Sequence, residues 1–198
     1  MIATELLENY GAIKKSFNKN EVVFKEGNLP THYYQIVSGE VKMNNYNDDG
    51  REFIQGFFYK EQSFGEPLLF LNKNYPANAI ACEVTEILLL SKNKFIKLLE
   101  KNPSISLKII ENLADRLYYK SIMAAEISTH EPEHRVLKLM DHGIAYFNFK
   151  KEADGYLINF TRQQIGDLTG LRVETVIRTI KSLEKKGVLK IINRKVYR

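Results

Sequence analysis

Hydrophobic and polar positions follow two different patterns in the first half of the chain. Residues 2–13 carry apolar side chains at helical spacing and predict a short helix. From Phe17 to Leu90, short runs of Val, Ile, Phe and Tyr alternate with turn signals at spacings of roughly 8–12 residues, which is typical of a β-sandwich or barrel. The segment Asn47-Asp48-Asp49-Gly50 predicts a hairpin between two of these strands.

The apolar spacing then becomes helical. A short helix is predicted over 94–100, and a long one from about 104 to about 127. A heptad seam together with a second apolar face predicts that the long helix packs on its own domain and also pairs with another copy of the chain. An ordinary amphipathic core helix is the alternative. The seam, which is interrupted at Lys120, consists of Ile110, Leu113, Leu117, Ala124 and Ile127.

A break at 128–132 separates the long helix from the last third of the chain. Pro132 suits the first turn of a further helix that ends near Phe147, and a strand is predicted over 156–160. The break places a domain boundary near His130. We therefore expect an N-terminal domain over 1–103, a pairing helix and hinge over 104–130, and a C-terminal domain over 131–198.

The C-terminal part of the sequence carries its most specific pattern. Thr161 and Gln164 form a capping box, in which the Thr hydroxyl accepts a hydrogen bond from the amide three residues later and Gln164 reaches back. Gly170 suits a tight turn with positive φ, and a second helix over 172–186 has an apolar inner face and a basic outer face. With a hairpin over 188–197, this pattern predicts a winged helix-turn-helix, whose second helix can enter the major groove of DNA.

The charge becomes informative once it is divided between the two parts of the chain. The formal net charge is +5, from 29 basic and 24 acidic side chains. Residues 131–198 hold 14 of the basic and 8 of the acidic side chains, a net charge of +6, which leaves −1 for residues 1–130. A polyanion-binding module joined to a neutral one explains this asymmetry, and a solvated basic surface is the alternative.

Composition narrows the class of protein. With 44% apolar residues the chain can build a core, so a disordered chain is excluded. The single cysteine, Cys82, excludes a disulfide scaffold, a Cys-pair zinc site and an iron–sulfur cluster held by several thiolates of one chain. The N-terminus has no signal-peptide core, and apolar runs such as Ile87-Leu88-Leu89-Leu90 are far too short to span a bilayer. We therefore expect a soluble, cytoplasmic protein without a membrane partner.

Two side chains on the outer face of the second helix are candidate readers of DNA bases. Glu174 is one of three acidic residues among ten basic ones in 161–198. A carboxylate near DNA is costly unless it accepts a hydrogen bond, and cytosine N4 is the available donor. Arg178, one turn later, can donate two hydrogen bonds to guanine O6 and N7. A surface ion pair between the two residues is the alternative, and the helix-turn-helix context favours base readout.

These residues, in this order, resemble the CRP/FNR superfamily of transcription regulators. The motif Thr161-Arg162-Gln163-Gln164-Ile165-Gly166, followed by Glu174-Thr175-Val176-x-Arg178, is similar to the DNA-binding motif of that family. Segments such as Ser38-Gly39 and Phe64-Gly65-Glu66 resemble its cyclic-nucleotide-binding-like β-roll. The resemblance covers essentially the whole chain. It implies an α+β fold with an N-terminal double-stranded β-helix (a jelly-roll-like β-roll), a long dimerisation helix and a C-terminal winged helix-turn-helix.

The resemblance also implies roles for individual residues. Glu174 and Arg178 match the family's base-reading pair. At the adjacent base-reading positions, Val173 is like the fumarate–nitrate regulator branch, whereas Ile177 departs from both that branch and the cyclic-AMP receptor. The residues implied in phosphate contact, or placed beside the readers on the outer helix face, are Thr161, Arg162, Gln163, Thr175, Lys181 and Lys185.

A member of this family is implied to be a bacterial, homodimeric regulator that binds double-stranded DNA and works with RNA polymerase. Its dyad should match a palindrome with half-sites about 34 Å apart. Signal binding at the roll would shift the winged helices about the 128–132 hinge. A constitutive form that needs no ligand is an alternative within the same class.

The effector pocket is where the resemblance fails. Members that bind a cyclic nucleotide hold the ribose with a Gly-Glu pair, which Gly65 and Glu66 match. They hold the phosphate with an Arg followed by Ser or Thr, where this chain has Pro76 and Ala77. Proline offers neither a charge nor an N–H, so a buried phosphate would lose its partners. We expect no tight cyclic-AMP binding and a structural role for Glu66.

No other cofactor is predicted from the sequence, although haem or another small ligand stays open. The histidines, His32, His130, His134 and His142, lack metal-ligand spacing. The aromatic residues of the roll could hold an apolar ligand, but core packing is the favoured interpretation. These residues are Phe53, Phe57, Phe58, Tyr59, Phe64, Phe70 and Tyr75.

Motifs of the common enzyme classes are missing from the sequence, including a P-loop, G-x-G-x-x-G, G-x-S-x-G and His-Glu-x-x-His. We therefore do not expect an enzyme. The remaining alternative from another class is a ligand-binding or protein-interaction module with an incidental basic tail.

Overall fold

A computed structural model of the chain describes residues 2–129, 131–147 and 149–198. It begins with helix α1 (Thr4–Asn9). Gly11 follows with a φ of 81°, in the left-handed region that favours glycine. The prediction of a helix through residue 13 is therefore wrong at its end, because Ile13 is the first residue of a strand and lies opposite Leu89.

Two four-stranded antiparallel sheets form the β-roll, as the predicted fold class requires. One sheet has the strand order β1-β8-β3-β6 and the other β2-β7-β4-β5. The hairpin predicted at Asn47–Gly50 joins β4 to β5. The strands are β1 (Ile13–Phe17), β2 (Val22–Phe24), β3 (His32–Ser38), β4 (Val41–Tyr46), β5 (Glu52–Phe58), β6 (Ser63–Phe64), β7 (Asn78–Ala81) and β8 (Thr85–Ser91).

Aromatic and aliphatic side chains fill the interior of the roll. Alternate residues of each strand point inward, so that the two sheets cover one shared core. A short 3-10 helix, Glu66–Phe70, follows β6. The buried members of the core are Phe17, Phe24, Tyr34, Ile36, Val41, Met43, Phe64, Tyr75, Ala77, Ala79, Ala81 and Ile87.

Cys82, the single cysteine of the chain, does not lie in a strand. It lies in a bend between β7 and β8 and is only partly buried. Burial, with Glu40 close by, raises the pKa of its thiol to about 12. Cys82 is therefore a neutral thiol at physiological pH.

Helices α2 (Lys92–Lys101) and α3 (Pro103–Thr129) follow the roll and confirm both predicted helices. The chain divides into two compact units, 1–115 and 116–198, and the division falls inside α3. The boundary predicted near His130 is further along the chain, and His130 itself lies outside the described residues. Among the described residues, no helix combines the length and apolarity that crossing a membrane would require.

The C-terminal unit consists of the second part of α3, three further helices and a small antiparallel sheet. Its sheet has the order β11-β12-β10-β9. The predicted strand over 156–160 is shorter than expected and shifted by one residue. The elements are α4 (Pro132–Tyr146), β9 (Lys151–Glu152), β10 (Gly155–Ile158), α5 (Arg162–Thr169), α6 (Val173–Lys185), β11 (Lys190–Ile192) and β12 (Lys195–Tyr197).

Candidate nucleic-acid interface

The start of α5 is fixed by the predicted capping box. The backbone N–H of Gln164 donates to Thr161 Oγ1 over 3.1 Å, and the backbone N–H of Thr161 donates to Gln164 Oε1 over 2.8 Å. Such a cap typically contributes about 1 kcal/mol, because it satisfies amides that the first helical turn leaves open. The first turn of α5 therefore has a defined position relative to the turn and helix that follow.

Two glycines set the close approach between α5 and α6. Gly170 has a φ of 70°, in the left-handed region, and ends α5. Gly166 lies against the turn, where an added Cβ would come within 2.8 Å of the carbonyl oxygen of Leu171. A side chain at Gly166 would therefore push the two helices apart. The tight helix-turn-helix predicted from the sequence is confirmed.

Helix α6 has one buried face and one exposed face. Val176, Thr179, Ile180 and Leu183 are buried and hold the helix against the rest of the unit. The opposite face is exposed, apart from Val173, Thr175 and Ser182, which are partly buried. Its exposed residues include Glu174, Ile177, Arg178, Lys181 and Lys185. The sequence-predicted base readers and helix cations thus share one outward surface, which we call the α6 outer face.

Glu174 and Arg178 do not pair with each other. Within the described ranges, neither side chain takes part in an ion pair or a hydrogen bond. The i, i+4 surface ion pair considered as an alternative is therefore not formed in this structure. Both groups keep their full hydrogen-bonding capacity toward a ligand that approaches the α6 outer face.

The remaining predicted phosphate contacts lie at the start of α5. Thr161 and Gln163 are exposed, and Arg162 is partly buried. The Gln163 side-chain amide donates to the buried carboxylate of Asp167 over 2.7 Å, which orients it. Thr161 uses its hydroxyl as an acceptor in the cap, so the hydroxyl hydrogen stays available to a phosphate oxygen.

One pairing that sequence reasoning missed joins the start of α4 to the end of α6. Glu133, in the first turn of α4, accepts hydrogen bonds from Lys186 Nζ and from Ser182 Oγ, each over 2.7 Å. These two contacts lower the pKa of the Glu133 carboxyl. Lys186 is thus engaged within the protein, unlike Lys181 and Lys185 on the α6 outer face. No local pattern reveals this pairing, because the partners are far apart in the sequence.

An apolar stripe runs along the exposed side of α3. Ile110 and Leu117 are 60% and 67% exposed, and Ala124 and Ile127 are exposed as well. The remaining predicted seam residue, Leu113, is instead partly buried and packs against the N-terminal core. Sequence reasoning missed three members, Leu107, Ala114 and Tyr118, which are also exposed. The α3 stripe is defined here as Leu107, Ile110, Ala114, Leu117, Tyr118, Ala124 and Ile127.

The predicted effector-pocket residues lie in or beside the core of the roll. Glu66 is fully buried, and Ser63 Oγ donates to its Oε1 over 2.8 Å. Gly65 has a φ of 74°. Ala77 is buried in the core, whereas Pro76 is exposed and accepts a hydrogen bond at its carbonyl from the Asn45 amide.

Tyr75 occupies the space next to Gly65. It is 2% exposed and stacks on Phe24, with 3.8 Å between ring centroids and 10° between planes. A Cβ placed on Gly65 would lie 3.0 Å from the Phe24 ring and 3.3 Å from the Tyr75 ring. Phe24 also contacts Tyr34 and stacks with Phe64. The interior of the roll beside the Gly-Glu pair is thus packed with the protein's own aromatic rings.

Only some of the aromatic residues of the roll pack in its core, which was the favoured interpretation for all of them. Phe57, Phe64 and Tyr75 are buried, whereas Phe53 and Phe70 are exposed. Phe53 is exposed because it lies in β5, where its neighbour Ile54 takes the inward position. Phe70 is the last residue of the 3-10 helix and lies over Phe95 at the surface.

The described histidines and Cys82 do not gather into a metal-binding group of three or more ligands within the described ranges. His142 is held between the rings of Tyr119 and Tyr146, at centroid distances of 3.4 Å and 4.1 Å. Burial lowers its pKa to about 4, so it is neutral at physiological pH.

Comparison with known proteins gives a family match for each part of the chain. Residues 14–102 match the cyclic nucleotide-binding domain family, and residues 135–198 match the Crp-like helix-turn-helix domain family. The cAMP-activated global transcriptional regulator CRP of Haemophilus influenzae is 29% identical over 167 residues, which cover 82% of this chain and 73% of that protein. Its counterpart from Pasteurella multocida is 28% identical over 181 residues, covering 89% and 85%.

Solved structures show the same fold. The c-di-GMP responsive global regulator CLP of Xanthomonas campestris has a TM-score of 0.80 at 20% identity, covering 98% of both chains. A CooA mutant from Carboxydothermus hydrogenoformans has a TM-score of 0.82 at 16% identity, covering 100% of this chain and 87% of that one. The relatives identified by sequence are transcription regulators rather than enzymes, in agreement with the sequence-based expectation. With a β-roll, a long helix and a winged helix-turn-helix in the matching order, the chain belongs to the CRP/FNR superfamily of transcription regulators.

Proposed function

We propose that this regulator is a homodimer that reads a palindromic DNA site, with α6 of each protomer in the major groove. The observation that carries the proposal is the α6 outer face, where Glu174 and Arg178 are exposed and engaged with no other described group. An exposed carboxylate among cations repels phosphate, so its presence on a DNA-facing surface is best explained if it accepts a hydrogen bond from a specific donor on the DNA. Cytosine N4 in the major groove is such a donor.

Arg178 complements this acid. Its guanidinium can donate two parallel hydrogen bonds to guanine O6 and N7. Because Glu174 and Arg178 are four residues apart on one helix face, they reach the two bases of one G·C pair or of adjacent pairs. The half-site is therefore expected to contain a G·C pair.

The surrounding groups supply binding that does not depend on sequence. Lys181 and Lys185 are exposed on α6, and the start of α5 offers Thr161, Arg162 and Gln163. Contacts from such groups to phosphate fix the position of a protein on the duplex and make its affinity depend on salt. Thr175, which is partly buried on α6, is a further candidate of this kind.

The α3 stripe supports pairing of two protomers. Its positions 107, 110, 114 and 117 follow the alternating three- and four-residue steps of a heptad seam, and Ala124 lies one heptad after Leu117. Exposed apolar side chains at this spacing favour a coiled coil with a second copy. Two α6 helices related by the resulting dyad would meet half-sites about 34 Å apart, or about one turn of DNA.

Selection from a randomised DNA library tests this function. The full chain is incubated with random duplexes, and bound DNA is recovered and sequenced over successive rounds. We expect a palindromic consensus with a G·C pair in each half-site. A library that stays random after selection would contradict the proposal and would favour a protein-interaction module with an incidental basic tail.

We further propose that the roll binds no cyclic nucleotide tightly. Pro76 and Ala77 offer no charged group to a phosphate, and the Tyr75 and Phe24 rings pack against Gly65. A nucleotide would have to displace a stacked, buried aromatic pair and would leave its phosphate without a cation.

Titration with cyclic AMP is therefore expected to give no saturable signal up to about 1 mM, which corresponds to less than about 4 kcal/mol of binding free energy. Isothermal titration calorimetry on the full chain measures this, with the cAMP-activated regulator of Haemophilus influenzae as the positive control. Micromolar affinity for cyclic AMP would show that the roll rearranges to admit it.

A further inference from the structure

One large apolar side chain lies among the charged groups of the α6 outer face. Ile177 is 40% exposed, whereas the other large aliphatic side chains in the middle of α6, Val176, Ile180 and Leu183, are buried. It lies one helical turn after Glu174, next to Arg178. A scattered exposed isoleucine is ordinary on a protein surface, so its significance depends on what this surface contacts.

The chemistry of the major groove limits what an isoleucine there can recognise. The edges of the bases carry hydrogen-bond donors and acceptors, and the one apolar group among them is the C5-methyl of thymine. An aliphatic side chain placed over any other edge would cover polar atoms without satisfying them, which is unfavourable. Contact with a thymine methyl instead removes two apolar surfaces from water.

We propose that Ile177 reads the C5-methyl group of a thymine in the half-site, and that this thymine lies within one or two base pairs of the G·C pair contacted by Glu174 and Arg178. Residues three or four apart on a helix face lie about 5–6 Å from each other, which matches one or two base-pair steps. The inference rests on the proposed function.

Replacing thymine by deoxyuridine tests this contact, since the exchange removes one methyl group and keeps base pairing. The probe is the consensus duplex obtained by selection, with each thymine of both half-sites replaced in turn. We expect one thymine position, the same in both half-sites, at which the exchange lowers the affinity of the unmodified protein about four-fold per half-site. This fold-change corresponds to the free energy of burying about one methyl-sized group. Fluorescence anisotropy with the full chain measures it.

Two variants assign the effect to Ile177. Ile177→Ala should bind the thymine and deoxyuridine duplexes with equal affinity, because the contacting side chain is gone. Lys181→Ala, an exposed neighbour on the same face, should bind both duplexes more weakly and keep the four-fold ratio. Both positions are exposed, so neither change is expected to disturb folding.

Three outcomes distinguish the possibilities. The inference is supported if the four-fold ratio between the affinities for the thymine and deoxyuridine duplexes disappears in Ile177→Ala and persists in Lys181→Ala. A consensus with no deoxyuridine-sensitive position, or a ratio that persists in Ile177→Ala, overturns it while leaving the proposed function intact. If no consensus can be selected at all, the proposed function fails first, and this inference fails with it.

Discussion

Replacing Arg178 by alanine is expected to weaken binding to the selected palindrome by about 1–3 kcal/mol for each half-site, roughly 5- to 150-fold in Kd per half-site. The reason is the loss of two hydrogen bonds to one guanine in each half-site. Arg178 is exposed and has no partner among the described side chains, so the free protein should keep its stability. Anisotropy measurements on the consensus duplex and on variants of its G·C pair check this.

The pattern of loss matters more than its size. Arg178→Ala should bind consensus and altered G·C duplexes with similar affinity, because it has lost the group that distinguishes them. Lys181→Ala provides the matched control from the same helix face. It should weaken binding to all sequences alike and reduce the slope of log affinity against log salt by about one for each protomer, or about two for the dimer. Unchanged base preference in Arg178→Ala would show that the reader has been assigned wrongly.

The second large effect is expected at the α3 stripe. Leu117→Lys should dissociate the proposed dimer, because each protomer loses a leucine that pairing would bury, worth about 1.5–3 kcal/mol, and two lysines would meet at the dyad. The dimer thus loses about 3–6 kcal/mol in total. Sedimentation equilibrium at micromolar protein should then show monomers, and affinity for the full palindrome should fall toward that of a single half-site.

Asp115→Lys serves as the control for that change. It introduces the same residue at an exposed position of α3 that lies outside the stripe. Lysine is a good helix former, so both variants should keep the helix. The Asp115 variant is expected to remain a dimer. A dimeric Leu117→Lys protein would mean that the stripe is not the pairing surface.

Local physical chemistry explains what could be predicted from the sequence. The Thr161 cap, the Gly170 turn and the two faces of α6 depend on residues within a few positions of each other, and the structure confirms all three. The end of α1 was predicted too late, because helical spacing continues past Gly11 while the backbone there turns left-handed. Periodicity alone does not register such a turn.

Contacts between distant segments account for what the sequence did not reveal. Tyr75 was recognised as one of several roll aromatics, but its stacking on Phe24 depends on the pairing of β2 with β7. The pairing of Glu133 with Lys186 depends on how α4 packs against α6. Leu113 was assigned to the seam by its spacing and Leu107 was not, whereas the packing of the N-terminal core partly buries Leu113 and leaves Leu107 exposed.

The distance between half-sites gives the most direct test of a dimer that reads a palindrome through two α6 helices. Duplexes carry the selected half-sites at their natural spacing, or with about half a turn of DNA, about five base pairs, inserted between them. The insertion places the half-sites on opposite faces of the duplex. The account predicts that affinity falls to that of a single half-site. Equal affinity for the two duplexes would contradict it.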